Sequence, residues 1–328
     1  MCPYRNGWRR SRSGTVSAGT GNRTVIVNQK YAEETEMAKQ LLGKEVNAQL
    51  NEQIKAETAA LRERGITPTL GIVRVGERED DLSYERGAVK RCETLGIAYK
   101  KYVLPADAAQ EDVLAVIGEV NTDAQVHGVL LFRPLPKHLD EEEIIHALSP
   151  QKDVDGITDG SLAGVFAGKA LGYAPCTPSA CMEILKHYGI DPAGKKCVVV
   201  GRSLVVGKPA AMMLLQKNGT VTICHTGTKD MPSVVREADI VIVAAGRAGV
   251  VDGSFLRAGQ VVIDVGINVG ADGKLCGDVK YDEAEPLVEA ITPVPGGVGS
   301  VTTSVLLSHV VQAAKAQNAE MLDTFMAK

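Results

Sequence analysis

The chain has 328 residues, 45% hydrophobic and 23% charged, with a formal net charge of −4; this length suits two domains with real cores, and the charge excludes a general attraction to nucleic acid or anionic membranes. One Trp and four Phe leave no aromatic platform for single-stranded bases, and no apolar run approaches the roughly 20 residues of a membrane span. Seven cysteines without a C-x-x-C pair, and six histidines without an H-x-x-x-H spacing, point to reduced thiols in the cytoplasm and give no support to a disulfide framework or a metal site.

The first 32 residues carry Arg5, Arg9, Arg10, Arg12 and Arg23 and no acid before Glu33. Such a start reads as an organellar transit peptide, as a disordered extension, or as a start placed ahead of Met37. No amphipathic helical pattern runs through it, which favours the extension, over 1–36. From Glu34 to Arg64 the pattern is helical, with Leu42, Val46, Leu50 and Ile54 at steps of four and Leu61 two turns on. The run 69–76 reads as a buried strand, 81–95 as a helix, 102–104 as a strand and 109–122 as a helix. HGVLLFRPLP (127–136) is a strand closed by two prolines, and 140–148 a helix. PCTPSACMEILKHYGI (175–190) starts as a Pro-rich hinge and becomes a helix, so we set the domain boundary there: 37–178 as one domain, with 305–328 packing back on it, and 179–304 as the other.

The second half alternates more clearly. Strands are expected at 195–201, 220–225, 239–246 and 260–268, helices at 208–219 and 230–237, and a closing helix at 301–316. Alternating strand and helix in both halves predict an α/β protein with parallel sheets covered by helices, the second a doubly wound Rossmann-type sheet.

The strand ending at Val200 runs into Gly201-Arg202-Ser203, and Gly207, Lys208 and Pro209 follow. Glycines here let the backbone turn tightly and approach a pyrophosphate, and the N–H groups of the next helix face the phosphates. The unit from Lys195 to His225 has the length of one βαβ crossover. The spacing is not G-x-G-x-x-G, so a turn with packing glycines is the plainer alternative. The second strand ends in Cys224-His225-Thr226, without the acid that grips the ribose hydroxyls of NAD. Arg202 and Thr226 can instead accept a 2′-phosphate, which favours NADP over NAD; a solvated loop cation is the other reading of Arg202. His225 reads as a strand-end residue.

GRSLVVGKP, DVGIN (264–268) and TPVPGGVG (292–299), together with LLGK (41–44), KDVDG (152–156), PCTP (175–178) and the helix from Tyr84 to Gly96-Ile97, resemble the methylenetetrahydrofolate dehydrogenase/cyclohydrolase family over about residues 40–316. The resemblance implies an N-terminal α/β folate domain and a C-terminal Rossmann domain around a cleft, and a homodimer. It implies oxidation of 5,10-methylenetetrahydrofolate by hydride transfer, followed by hydrolysis of the methenyl product. By resemblance Tyr84 and Asp155 are catalytic and bind the pterin, while Pro295, Gly296 and Gly297 belong to the loop that shapes the floor. Gly201, Arg202, Ser203, Gly207 and Thr226 would hold the dinucleotide and Ile267 would line the nicotinamide pocket. The chemistry agrees: a flat polar heterocycle wants an aromatic face and a carboxylate that accepts from its N–H groups. An Asx turn before Gly156 is the plainer reading of Asp155.

The chain departs from the family where hydrolysis is concerned. The family helix reads Tyr-x-x-x-Lys; here the lysine position is Ala88, and Lys90 points to another face. The family strand continues Gln-Leu-Pro-Leu-Pro, and its Gln partners that lysine; here Phe132 takes the Gln position, with Arg133 sent to the opposite face by strand alternation. Asp81 stands where the family often has Ser, and Ser300 replaces the proline after the PGGVG loop. These changes predict a dehydrogenase with weak or absent cyclohydrolase activity; a fully bifunctional enzyme and a non-catalytic binding paralogue are the alternatives. An unrelated hydroxy-acid dehydrogenase would need a His–acid pair in the cleft, and none is evident in the sequence.

Overall fold

The computed structural model describes residues 37–270, 272–320 and 322; the extension 1–36 and the last residues of the chain lie outside them. Two parallel sheets organise the fold. The first has three strands, with Thr69–Val75 in the centre between Ala98–Leu104 and Gly128–Leu131. The second has six, in the order Lys39–Gln40, Ala290–Ile291, Val261–Asp264, Ile240–Val243, Lys196–Val200 and Thr220–Cys224. Side chains alternate across that sheet. Cys197, Val199, Ile242 and Ile263 face one core, and Val198, Val200, Val241 and Val243 face another. Helices thus cover both faces, as continuous valine-rich strands require.

The first core is shared by the two sheets. Leu70, Ile72 and Leu130 of the three-stranded sheet join the same apolar cluster as Val199 and Ile263. The helices Gly43–Glu63, Cys176–His187 and Val298–Gln317 fill the space between. The last of these begins earlier than the pattern suggested and returns to the first half of the chain: Arg91 donates to Ser304 Oγ at 2.6 Å, and Asn47 to the Ser300 carbonyl at 2.8 Å.

Several elements differ from the sequence reading. Residues 39–40 form a strand ahead of the first helix, which starts at Gly43. They pair with Ala290–Ile291 at the edge of the larger sheet, so the chain enters the fold there before crossing to the smaller one. A helix at Asp159–Ala167 has no counterpart in the expectations. The strand expected over 127–136 ends at Leu131, and a cis Arg133–Pro134 bond follows in irregular chain. Alternation therefore stops before Phe132, and Arg133 is not sent to the opposite face.

Candidate active site

A cleft of about 980 Å³ opens at the carboxyl ends of both sheets. From the smaller sheet come Leu130, Leu131, Phe132 and Arg133, and from the helix Glu79–Leu95 come Asp80, Asp81 and Tyr84, with Arg78 at that helix's N-cap. The far wall holds Leu204, Val205, Val206, Val265 and Ile267, with Val298, Gly299 and Thr302 at the start of the last long helix. Among the described residues, the cations lining the cleft are Arg78 and Arg133, and no lysine does so; His146 also lines it.

Tyr84 and Asp155 both line this cleft. The Asx role falls to the neighbouring acid. Asp153 Oδ1 accepts from the Gly156 and Ile157 amides at 2.9 and 3.0 Å, and Oδ2 from the Thr158 amide and Ser161 Oγ, both at 2.7 Å. Asp153 thereby builds the loop, and Asp155 is left facing the cleft. Burial raises the Asp155 carboxyl above its ordinary pKa and the Asp153 charge adds to this, while Arg133 opposes both. Arg133 also approaches Glu141 Oε1 at 3.7 Å.

The helix carrying Tyr84 is anchored from below. Glu85 accepts from Arg74 Nε at 2.8 Å and pairs with Lys101 Nζ at 2.7 Å, with both Arg74 and Glu85 buried. Arg78 bonds the Pro134 carbonyl and Asp81, fixing the helix start to the cis-proline loop. Ala88, where the resemblance leads one to expect a lysine, is buried, while Lys90 is exposed and outside the cleft. Phe132 is buried too and does line the cleft.

The glycine loop stands where the strand order reverses. Lys196–Val200 lies between its successor Thr220–Cys224 and Ile240–Val243, so the loops after 200 and 243 part around a crevice. Gly201 has φ +129°, and a Cβ there would overlap the Ala244 carbonyl; one at Gly207 would overlap the Gly201 carbonyl. Helix Gly207–Gln216 starts two residues before Pro209, without a side-chain cap from Val206. Ser203 Oγ accepts from the Val206 amide at 3.1 Å. Arg202, Ser203 and Thr226 are exposed, on loops joined by the Gly201 amide bonding the Cys224 carbonyl at 2.8 Å. This cradle without side chains at a helix N-terminus fits a dinucleotide pyrophosphate. His225 Nδ1 accepts from the Gly227 amide, a strand-end role.

Pro295, Gly296 and Gly297 do not line the cleft; their neighbours Val298 and Gly299 do. A Cβ on Gly299 would lie 3.0 Å from Ile267 Cδ1, so the glycine lets the last helix approach the wall that carries Ile267. Ser300, in place of the family's proline, donates to the Gly297 carbonyl at 2.7 Å in the first turn of that helix.

One expectation is overturned outright. The cleft does hold a His–acid pair: His146 Nε2 lies 2.8 Å from Asp159 Oδ2. The two sit on successive helices, a proximity that sequence alone does not reveal. Their side chains are 49% and 79% exposed, a rim position open to water.

Two family models match the chain: the tetrahydrofolate dehydrogenase/cyclohydrolase catalytic domain over residues 41–155, and the NAD(P)-binding domain of the same family over residues 175–318. The chain belongs to this family. A bifunctional protein FolD of Carboxydothermus hydrogenoformans is 53% identical over 284 residues, covering 86% of this chain and 99% of the relative. The crystal structure of a bifunctional FolD methylenetetrahydrofolate dehydrogenase/cyclohydrolase from Campylobacter jejuni superposes with a TM-score of 0.83 at 38% identity, over 85% of this chain and 99% of that one. A Trypanosoma brucei methylenetetrahydrofolate dehydrogenase-cyclohydrolase, solved with NADP cofactor and an inhibitor, gives 0.80 at 33% identity, over 86% and 98%.

Proposed function

We propose that this protein oxidises 5,10-methylenetetrahydrofolate to the methenyl form with NADP, and that it hydrolyses the methenyl product poorly or not at all. The observation that carries the second part is Phe132, buried against Tyr84 in a cleft lined by no lysine among the described residues. When bound, the nicotinamide supplies the hydride acceptor. Tyr84 offers its ring to the pterin and Asp155 accepts from the pterin N–H groups, which sets the carbon to be oxidised toward the opposite wall. On that wall Val205, Val206 and Ile267 keep water from the reacting carbon. Gly201 and Ser203 admit the pyrophosphate, and Arg202 and Thr226 receive the 2′-phosphate. Positioning of two partners suffices for hydride transfer, whereas hydrolysis needs a group that activates water and moves a proton.

The cytoplasmic location, the domain limits 37–178 and 179–304 and the homodimer belong to the same proposal. The edge strand Ala98–Leu104 leaves Tyr99 and Val103 exposed on one side, a surface that a second copy can cover; light scattering on the purified chain reads the oligomeric state directly.

The deciding assay supplies methylenetetrahydrofolate with NADP, then with NAD, and follows the methenyl absorbance. Accumulation of the methenyl product, faster with NADP, is the expected trace. No reduction of either dinucleotide overturns the dehydrogenase reading, and a transient methenyl signal that decays in proportion to protein overturns the loss of hydrolysis.

A further inference from the structure

Two acids that none of the proposed roles uses lie beneath the dinucleotide wall. Asp278 is 0% exposed and Asp264 3%. Neither has a cation partner among the ion pairs of the described residues. Burial without a counter-ion is costly unless hydrogen bonds fill the oxygens. Here they do. Asp278 Oδ2 accepts from the Ala245 and Gly246 amides at 2.6 and 2.8 Å, and Oδ1 from the Arg247 amide and Asn268 Nδ2, both at 2.9 Å. Asp264 in turn accepts from the Gly266, Asp278 and Val279 amides at 2.9, 3.0 and 2.9 Å.

The glycines around the pair have a steric reason. A Cβ on Gly266 would overlap the Asp278 backbone and carboxyl, and one on Gly277 would overlap the Asp264 carboxylate. The chain is therefore packed so that one carboxylate reaches two separate loops. Residues 245–247 follow the strand Ile240–Val243, beside the Gly201 crevice, and Asn268 ends the loop that carries Ile267 into the cleft.

We infer that Asp278, itself held by Asp264, is the positioning residue of the dinucleotide side of the cleft, tying the 245–247 loop and the Ile267 loop to one buried carboxylate. The inference rests on the dinucleotide reading above. Asp278 touches neither reacting partner; it acts through the loops that do. Three successive amides aimed at one acid cost no reorganisation when ligand arrives, so affinity depends on the acid staying in place.

The test is Asp278→Asn in the full chain, with folding followed by circular dichroism. An amide presents two hydrogens where the carboxylate received N–H donors, so the loop must open. NADP+ affinity by calorimetry should fall on the order of 10- to 100-fold, and the KM for NADP+ should rise with it. The KM for methylenetetrahydrofolate should stay within about twofold, a split that general loss of structure does not produce. Equal NADP+ affinity in wild type and folded variant overturns the inference alone. Wild-type protein that binds neither NADP+ nor NAD+ overturns the dinucleotide reading and this inference with it. Should Asp278→Asn not fold, Asn268→Ala decides, since it removes a single donor: a raised KM for NADP+ with unchanged folate KM supports the inference, and an unchanged KM for NADP+ overturns it.

Discussion

Tyr84 and Phe132 meet edge to face, their ring centroids 5.8 Å apart and their planes at 81°. Such a contact contributes about 0.5–1.5 kcal/mol beyond the area it buries, and it holds the tyrosine ring upright in the cleft. Burial pushes the Tyr84 hydroxyl up to about 12, with the Asp155 charge adding to the shift, against hydrogen bonds with Thr303 and Thr302. Tyr84 is thus neutral throughout the working pH range and acts by its face. Replacing it by Phe should weaken folate binding modestly, through the lost hydroxyl contacts, and leave the shape of the pH–rate profile unchanged. A basic limb that disappears in the variant would contradict this.

Asp155 titrates above the ordinary carboxylate range because burial and Asp153 outweigh Arg133. A protonated carboxyl loses acceptor capacity for pterin N–H groups. The KM for methylenetetrahydrofolate should therefore rise on acidification at a pH above that of an ordinary Asp. Removing the Arg133 charge, as Arg133→Leu, should move that limb to still higher pH. A limb that stays put in the variant would show that Arg133 does not act on Asp155.

Arg202 is exposed beside the Gly201 turn, and the strand Thr220–Cys224 is followed by His225, Thr226 and Gly227, with no acid. Arg202→Ala should raise the KM for NADP about tenfold or more, the weight of one charge-assisted contact, and change that for NAD little. Equal effects on the two dinucleotides would leave the 2′-phosphate without a reader at this position.

The buried Arg74–Glu85 pair carries the helix that presents Tyr84. Burial works against the Glu85 charge, but hydrogen bonds from Lys101 and Arg74 prevail and hold its carboxyl below the usual value. A depressed folded-state pKa contributes stability that is present above the unfolded value and lost as pH falls through the folded one. Glu85→Gln should cost about 3 kcal/mol near neutrality, because Arg74 is left buried without its partner. The gap from wild type should close as the pH is lowered below the unfolded carboxylate value. Urea melts at neutral and acid pH measure both; a gap independent of pH would mean that packing, not charge, makes the contribution.

What the sequence made legible follows from burial. Valine-rich runs such as 197–200 and 240–243 are covered on both faces, so their apolar continuity marks parallel strands with no other information. The two-residue strands at 39–40 and 290–291 carry no such signal, because their pairing is decided by the rest of the sheet. The helix 159–167 holds Gly160 and Gly164 and lacks a clear stripe. In the site, motifs pointed to Tyr84 and Asp155, and both line the cleft. Arg133 was misplaced because alternation was carried past Leu131, where the strand ends. Asp264 and Asp278 were missed as a pair: their bonds run to the amides of distant loops, which leave no mark on residue type, although Gly266 and Gly277 beside them were a signal of close approach.

The sharpest test concerns hydrolysis. Ala88 is 1% exposed and Phe132 7%, so a methyl and a phenyl ring occupy places where the resemblance leads one to expect a lysine and its glutamine partner. Neither can move a proton or hydrogen-bond a water. The cations that do line the cleft, Arg78 and Arg133, are engaged with Pro134 and Asp81 and with Glu141, and a guanidinium does not give up its proton at neutral pH. General acid–base groups contribute on the order of 10²–10⁴-fold, so methenyltetrahydrofolate given to the purified protein should decay no faster than in buffer. Ala88→Lys alone should restore little hydrolysis, because with Phe132 beside it the new amine lacks the hydrogen-bond partner that would orient it toward water. Ala88→Lys with Phe132→Gln should recover part of it, since the smaller amide frees room and supplies the hydrogen-bond partner. Decay that scales with wild-type protein would mean that another group in the cleft activates water, and His146 at the rim would be the first to replace.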